Sequence, residues 1–297
     1  MSHEARYGHS HYGPALSSAV DLRRFAVEAE RLGYVTLWCG DRLFLPTDLQ
    51  GDYPGTDYPI YAERGNRFAD PLTVVGTLAA VTSTVRFNFS TLNAPLYHPV
   101  ILARALTTLD FLSDGRVDAG FGLSWMRDEY DTLGLPWSQR GARLDDVLSF
   151  LHAWWTTNPV EYEGQGWSFP RSQVGLRPVQ PGGPPVYLAG MTEPALERVG
   201  RRATGWLTFD AIPPEVRKAM WATVCRSAEE AGRDPQQLKQ MVRVNGEPGE
   251  SPEHIAERLD RLAEDDVDEA LVDFFFTHTT MDEFLEAAER VADLQLR

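Results

Sequence analysis

Several short stretches carry residue types that could do chemistry. Ala189-Gly190-Met191-Thr192-Glu193-Pro194-Ala195 sets a glycine turn and a hydroxyl where a helix begins. Free N–H groups and the positive end of a helix dipole make such a turn an anion site. A phosphate could rest on the Met191 and Thr192 amides and the Thr192 hydroxyl; the other reading is an ordinary threonine N-cap. Asp41-Arg42 places a carboxylate beside a permanent cation. Asp41 could hydrogen-bond a flat ring, orient Arg42, or only cap a loop. His9-Ser10-His11 puts two imidazoles on one face of a strand, which is metal-ligand spacing, and His11 alone is a candidate proton donor. Trp125, with Tyr53, Tyr58 and Tyr61, could wall a substrate pocket or be plain packing.

The longest organised stretch is Ser113–Trp155. It opens on the turn Ser113-Asp114-Gly115, continues as a short strand from Arg116 to Phe121, and opens again at Gly120 and Gly122. Glycines at the end of a strand let a backbone or a flat ligand come close. Ser124, Trp125 and a helix with Asp128, Glu129 and Tyr130 follow. A second helix starts near Arg140-Gly141-Ala142-Arg143, where Arg140 and Arg143 are expected to pair with Asp145 and Asp146. Trp154 and Trp155 read as core or subunit-contact residues.

The elements that must position these residues alternate along the chain. Helical periodicity covers 17–32, where Leu22, Phe25, Ala26, Ala29 and Leu32 share a face. Further helices are expected from Pro71 to Val81, after Pro99, and over 193–202, 213–231, 252–264 and 280–294. Strand-like runs occupy 5–11, 34–39, 85–92, 116–121, 185–189, 205–209, 238–244 and 270–276. Eight strands separated by helices imply a parallel sheet, because parallel strands need crossovers.

Within one domain spanning residues 1–297, that count suits an α/β (β/α)8 TIM barrel with insertions after strands 2 and 4. The first insertion is a loop or lid at 41–69 and the second a hairpin at 157–184, expected outside the core. A doubly wound sheet would carry its phosphate fingerprint after the first strand, where His11-Tyr12-Gly13-Pro14 stands instead.

In such a barrel the site gathers at the carboxyl ends of the strands. The candidates are then His9 and His11; Asp41 and Arg42; Ser90, Thr91 and Asn93; Gly122, Leu123, Ser124 and Trp125; Gly190, Met191 and Thr192; Phe209 and Asp210; Asn245 and Glu247; and Phe276, Thr277 and His278. A metal-dependent hydrolase would need histidines after strands five and six to complete the shell. Gly190-Met191 and Phe209-Asp210 stand there, so no metal is expected.

Bulk properties narrow the partners. The 297 residues are 43% hydrophobic, enough for a large core. A net charge of −15 argues against a nucleic-acid partner, and no apolar run is long enough for a membrane span. Cys39 and Cys225 lie far apart, which fits a reducing cytoplasm and no disulfide framework.

The order G-R-hydrophobic-x-x-G-x-G-x-x-W, acidic helix, L-G-x-P, R-G-x-R-L-D-[DE] in the central stretch resembles the luciferase-like flavin and deazaflavin oxidoreductases. Tyr34–Arg42, Thr82–Arg86, Pro95–Pro99, Pro185–Gly190 and Thr204–Trp206 extend the resemblance along nearly the whole chain. It implies a (β/α)8 barrel, often a homodimer, that uses coenzyme F420 for hydride transfer or FMN for oxygenation of a small molecule.

Residue by residue, the resemblance implies cofactor contacts at Asp41, Asn93, Leu123, Ser124, Asp128, Met191, Thr192 and Ala195, the last three at the phosphate. Gly122 and Gly190 join them as turn glycines. The Ser90-Thr91 peptide, implied to be cis, would lie behind the ring. Flavin-using members commonly place an arginine after the strand-four glycines. Leu123-Ser124-Trp125 there favours F420, with an FMN-dependent monooxygenase as the alternative and a non-catalytic cofactor-binding barrel as a remoter one.

The sequence departs from the deazaflavin dehydrogenases at two positions. Arg42 replaces a histidine and Trp125 replaces a glutamate, which argues against a sugar-phosphate substrate. His11, Arg42 and Trp125 are left as the catalytic candidates, with Arg42 free to hold an anionic substrate or the acidic groups of the deazaflavin. The loops that would choose the substrate carry no decodable motif. An imine or activated alkene of natural-product metabolism is one substrate type that such hydride transfer would suit.

Overall fold

A computed structural model describes residues 6–10, 18–50, 67–275 and 277–295. His11, Tyr53, Tyr58, Tyr61 and Phe276 lie outside the described residues. The chain enters as β1 (Arg6–Ser10), α1 (Ala19–Arg31), β2 (Thr36–Cys39), α2 (Pro71–Ala79), β3 (Arg86–Phe89) and α3 (Pro99–Leu112). It continues as β4 (Ala119–Phe121), α4 (Arg127–Thr132), α5 (Arg140–Thr156) and the hairpin strands β5 (Val160–Glu163) and β6 (Ser168–Ser172). Then come β7 (Val186–Ala189), α6 (Glu193–Arg202), β8 (Gly205–Phe209), α7 (Pro214–Glu230), β9 (Lys239–Asn245), α8 (Pro252–Glu264), β10 (Glu269–Asp273) and α9 (Met281–Gln295).

Local chemistry sets many of the boundaries. Ser18, Asp70 and Ser251 accept N–H groups in the first turns of α1, α2 and α8, as short polar caps do. Prolines occupy the first turns of α2, α3, α6, α7 and α8, where a missing N–H costs nothing.

Eight strands form one parallel sheet in the order β3-β2-β1-β10-β9-β8-β7-β4. The sheet curls until its two edges meet. Phe87 bridges Val117 and Leu92 bridges Phe121, through N–H···O bonds of 2.8 to 2.9 Å from Phe87, Asp118, Leu92 and Gly122. This approach needs glycine. A Cβ on Gly120 would lie 1.9 Å from the Phe89 carbonyl oxygen, and one on Gly122 would lie 2.2 Å from Thr91 Oγ1.

Burial follows the strand period. One apolar layer lies between the sheet and its helices, including Leu37, Phe87, Val242, Val244 and Val272. A second, smaller cluster fills the concave side with Trp38, Tyr187, Leu207, Met241 and Leu271. Polar groups close that inner space at the amino end of the strands. Trp38 Nε1 donates to Glu269 at 3.1 Å, and Arg86 pairs with Asp118. Burial raises Glu269 to about 7, against the opposing hydrogen bonds from Thr36 and Trp38.

The hairpin is less detached than the sequence implied. Val160 is fully buried, and Phe150 of α5 meets Tyr162, Trp167 and Phe169 with ring centroids 5.4, 5.0 and 5.5 Å apart. Trp154 and Trp155 are core residues, and both indoles donate to Thr107 Oγ1 at 3.2 Å. The expected ion pairs at the start of α5 are corrected. Asp145 pairs with Arg198 of α6 at 2.7 Å, while Asp146 accepts from Tyr162 and Trp167. Arg140 stacks on Trp137 and Arg143 donates to the Pro95 carbonyl. These partners lie on other elements, so spacing within α5 could not reveal them.

The aromatic cluster yields a first prediction. Phe150→Ala should cost about 3–5 kcal/mol through lost contacts and a cavity. Ile101→Ala, at a position 55% exposed, should stay within about 0.5 kcal/mol. Urea unfolding of both variants checks the contrast.

Candidate functional site

The carboxyl ends of β2, β3, β4 and β7 are neighbours, because β4 sits between β7 and the β3 edge. Most of the sequence-predicted cofactor positions lie there, joined by hydrogen bonds. Asp41, just after β2, is buried. Its Oδ2 accepts the Asn93 N–H at 2.8 Å and the Tyr97 hydroxyl at 3.2 Å. The Asn93 side-chain amide returns to the Asp41 carbonyl at 3.0 Å. Burial raises the Asp41 carboxyl to about 6, assisted by the Glu129 charge and opposed mainly by the Asn93 N–H. The Ser90–Thr91 peptide is cis.

Arg42 is not a free cation. Its side chain is 8% exposed and pairs at 2.7 Å with Glu129 of α4, whose side chain is wholly buried. Arg42 also donates to Ser124 Oγ at 3.1 Å, and its guanidinium lies 4.5 Å from the centre of the Trp125 ring. Glu129 further accepts the Leu43 N–H at 2.9 Å and the Ser124 hydroxyl at 2.6 Å. Ser124 adopts φ +59°, an uncommon conformation for a residue with a side chain, and its oxygen accepts the Met126 N–H. Arg42 and Trp125 thus belong to one ion-paired, stacked unit. Of the Arg42 donors, only Nε is buried without a partner.

The remaining candidates spread around this unit. The Leu123 carbonyl accepts the Tyr130 hydroxyl at 2.5 Å. Asp128 is buried and accepts the Gln50 N–H at 3.2 Å, so it braces the segment after β2. Beyond β7, the Gly190 carbonyl accepts the Trp206 indole N–H at 2.9 Å. Thr192 is the N-cap of α6 but makes no side-chain capping bond. Its hydroxyl is thus not used as an ordinary cap would use it. Met191 is 46% exposed, and Ala195 is buried beneath the turn.

His9 lies on β1, paired in register with Leu37 and Val272. Among the described residues, no group of three or more His, Cys, Asp or Glu gathers in a metal-binding arrangement. Again among the described residues, no helix is long and apolar enough to cross a membrane. Asp210 is engaged by Arg258, and Glu247 is exposed.

Two residues escaped the sequence reading. The sequence marks Glu129 only as a member of the helix after Trp125, and its burial is what separates it from Asp131. Arg243 of β9 reaches across to Ser90, with contacts of 3.5 Å to its carbonyl and hydroxyl oxygens. A signal for Arg243 was available. Met241, Arg243 and Asn245 alternate with Val242 and Val244 along one strand, so the polar positions share the face opposite the helices.

Asp41, Asp128 and Glu129 are thus buried carboxylates beside the strand ends of a curled parallel sheet. The chain belongs to the luciferase-like monooxygenase family, whose model matches residues 3–293. An uncharacterized protein of Mycobacterium tuberculosis is 30% identical over 95% of this chain and 97% of its own. The F420-dependent glucose-6-phosphate dehydrogenase of Amycolatopsis mediterranei is 30% identical over 63% of this chain and 52% of its own. The crystal structure of monooxygenase RslO1 from Streptomyces bottropensis superposes with a TM-score of 0.81, at 20% identity and 98% coverage of both chains.

Two predictions follow from the geometry. Arg42→Met leaves Glu129 buried and uncompensated, which should cost about 3–5 kcal/mol, whereas Arg42→Met with Glu129→Leu should recover most of that loss. Urea unfolding of the two proteins gives both values. Asp41 is raised from an ordinary 3.8 to about 6, so the folded protein binds its proton more tightly than the unfolded chain. Its contribution to stability is full below about pH 4 and is lost as the pH rises through about 6. Asp41→Asn should flatten that part of the stability-against-pH curve.

Proposed function

We propose that this protein is an oxidoreductase that transfers a hydride between coenzyme F420 and a small organic substrate. The carrying observation is at the end of β4. Leu123 packs against the core and the Ser124 hydroxyl is spent on Glu129. No arginine occupies the position after the β4 glycines, where the flavin-using members that the sequence resembles commonly place a phosphate-binding one. The dehydrogenase from Amycolatopsis mediterranei, named as F420-dependent, supports the same choice. On this reading the curled sheet is a closed (β/α)8 barrel forming one domain, and the protein is a homodimer.

The residues present fit such a group. The Met191 and Thr192 amides and the Thr192 hydroxyl would take the phosphate, with Ala195 beneath them. Asp41, Ser90, Thr91, Asn93, Gly122 and Ser124 would surround the ring, and Arg42 Nε is buried without a partner. The chemistry that F420 supplies when bound is two-electron hydride transfer.

The chain's own contribution is positioning. Tyr97 and Asn93 fix the Asp41 carboxyl, and Glu129 fixes Arg42 and through it the plane of Trp125. An ion-paired guanidinium keeps its charge, so Arg42 holds geometry and does not relay protons. Trp125 gives the substrate side a rigid aromatic wall.

Anaerobic titration of the cofactor-free protein, followed by fluorescence, tests this reading. F420 should bind with a Kd of about micromolar, and FMN at least about tenfold more weakly. The reverse order would move the assignment to an FMN-dependent, oxygen-using monooxygenase.

A further inference from the structure

Arg243 is an anomaly. The chain has 43 Asp and Glu residues against 28 Lys and Arg, yet among the described residues this half-buried arginine forms no ion pair. Its polar contacts are the two 3.5 Å approaches to Ser90, at the long limit for hydrogen bonds. Its Nε is buried with no partner. The nearby carboxylates are occupied: Asp210 pairs with Arg258 at 2.6 Å, and Asp273 accepts the Phe275 N–H at 2.9 Å.

Two residues along the same strand, the Asn245 side-chain oxygen is also buried without a partner. The strand period puts both on the concave side of the sheet, because Met241 belongs to the inner cluster and Val242 and Val244 to the outer layer. An unpaired donor on a permanent cation and an unpaired acceptor therefore face one space. Leaving such groups unmatched is costly, and one ligand could satisfy both.

The sheet order indicates which ligand. The positions proposed for the cofactor lie on β7, β4, β3 and β2, one continuous half of the strand ends, and Arg243 and Asn245 belong to the other half, β8-β9-β10-β1. We propose that Arg243 is a specificity-determining residue that receives an anionic oxygen of the substrate, while Asn245 accepts a neighbouring O–H or N–H. The substrate class is a small carboxylate bearing a hydroxyl or amine close to its carboxyl group. The assignment of this half to substrate rests on the cofactor reading above; the anion site itself rests only on the unpaired groups.

The test uses lactate and mandelate, each against its neutral amide, with the full-length protein at constant ionic strength. Binding is read by thermal shift and calorimetry, with and without F420. The wild type should prefer each carboxylate over its amide, and Arg243→Met should lose that preference by roughly tenfold or more. Arg243→Lys should retain part of it, and F420 affinity should stay within about twofold in both variants. Asn245→Ala should weaken lactate while leaving acetate unchanged.

Equal or absent binding of carboxylate and amide to the wild type would overturn the proposal, as would a preference that survives Arg243→Met. So would a loss of F420 affinity in Arg243→Met, together with a shifted pH titration of the bound ring, because the arginine would then serve the cofactor. If F420 fails to bind the wild type while the carboxylate preference still depends on Arg243, the anion site stands and the cofactor reading falls. Where Arg243→Met does not fold, Arg243→Lys carries the comparison.

Discussion

The site depends on a steric constraint at the meeting edges of the sheet. β4 can approach β3 only because Gly120 and Gly122 carry no side chain; any Cβ would collide with the Phe89 carbonyl or with Thr91. The hydrogen bonds across this seam bring the end of β4 next to those of β3 and β2. Without that approach, Ser124 and α4 could not come near Arg42, and the buried ion pair would have no partner. Backbone sterics come first here and the electrostatics of the site follow from them.

The electrostatics then fix the seam in turn. Glu129 accepts from three donors on two segments, the Arg42 guanidinium and Leu43 N–H after β2 and the Ser124 hydroxyl after β4, whose oxygen in turn accepts the Met126 N–H. A carboxylate buried this deeply is tolerated only because those donors replace water. The same arrangement explains the left-handed backbone of Ser124, since the hydroxyl must turn back toward α4 to be used. Asp41 is treated differently. It has neutral donors and a nearby like charge, so burial dominates and its carboxyl rises toward neutrality.

Much of this was legible in the sequence. The alternation of apolar runs with capped, proline-started helices gave strands and helices within a few residues of their observed bounds, as with 193–202 and 252–264. The paired glycines of Gly120-Phe121-Gly122 marked the close approach, although they were read as room for a flat ligand as much as for a neighbouring strand. What was not legible was pairing at long range. Asp145 has two arginines nearby in sequence and chooses Arg198, 53 residues away. Arg42 looked available because its partner is 87 residues on. Local patterns report periodicity and caps, but a buried charge is neutralised by whatever the fold brings against it.

The two halves of the strand ends differ in the kind of group that they present. On β2, β3, β4 and β7 the features are largely backbone: glycines, a cis peptide, amides at the start of α6, and a carboxylate tied to a backbone N–H. On β9 they are side-chain atoms, Arg243 and Asn245, left unpaired by the protein itself. Backbone features survive large changes in sequence because any residue that fits the local conformation preserves them. Side-chain features change with a single substitution. A fold retained at 20% identity can therefore keep one half for a shared requirement while the other half varies with the substrate. Fold alone does not specify chemistry, and buried polar atoms without partners stand on both halves, Arg42 Nε on one and Arg243 Nε and Asn245 Oδ1 on the other.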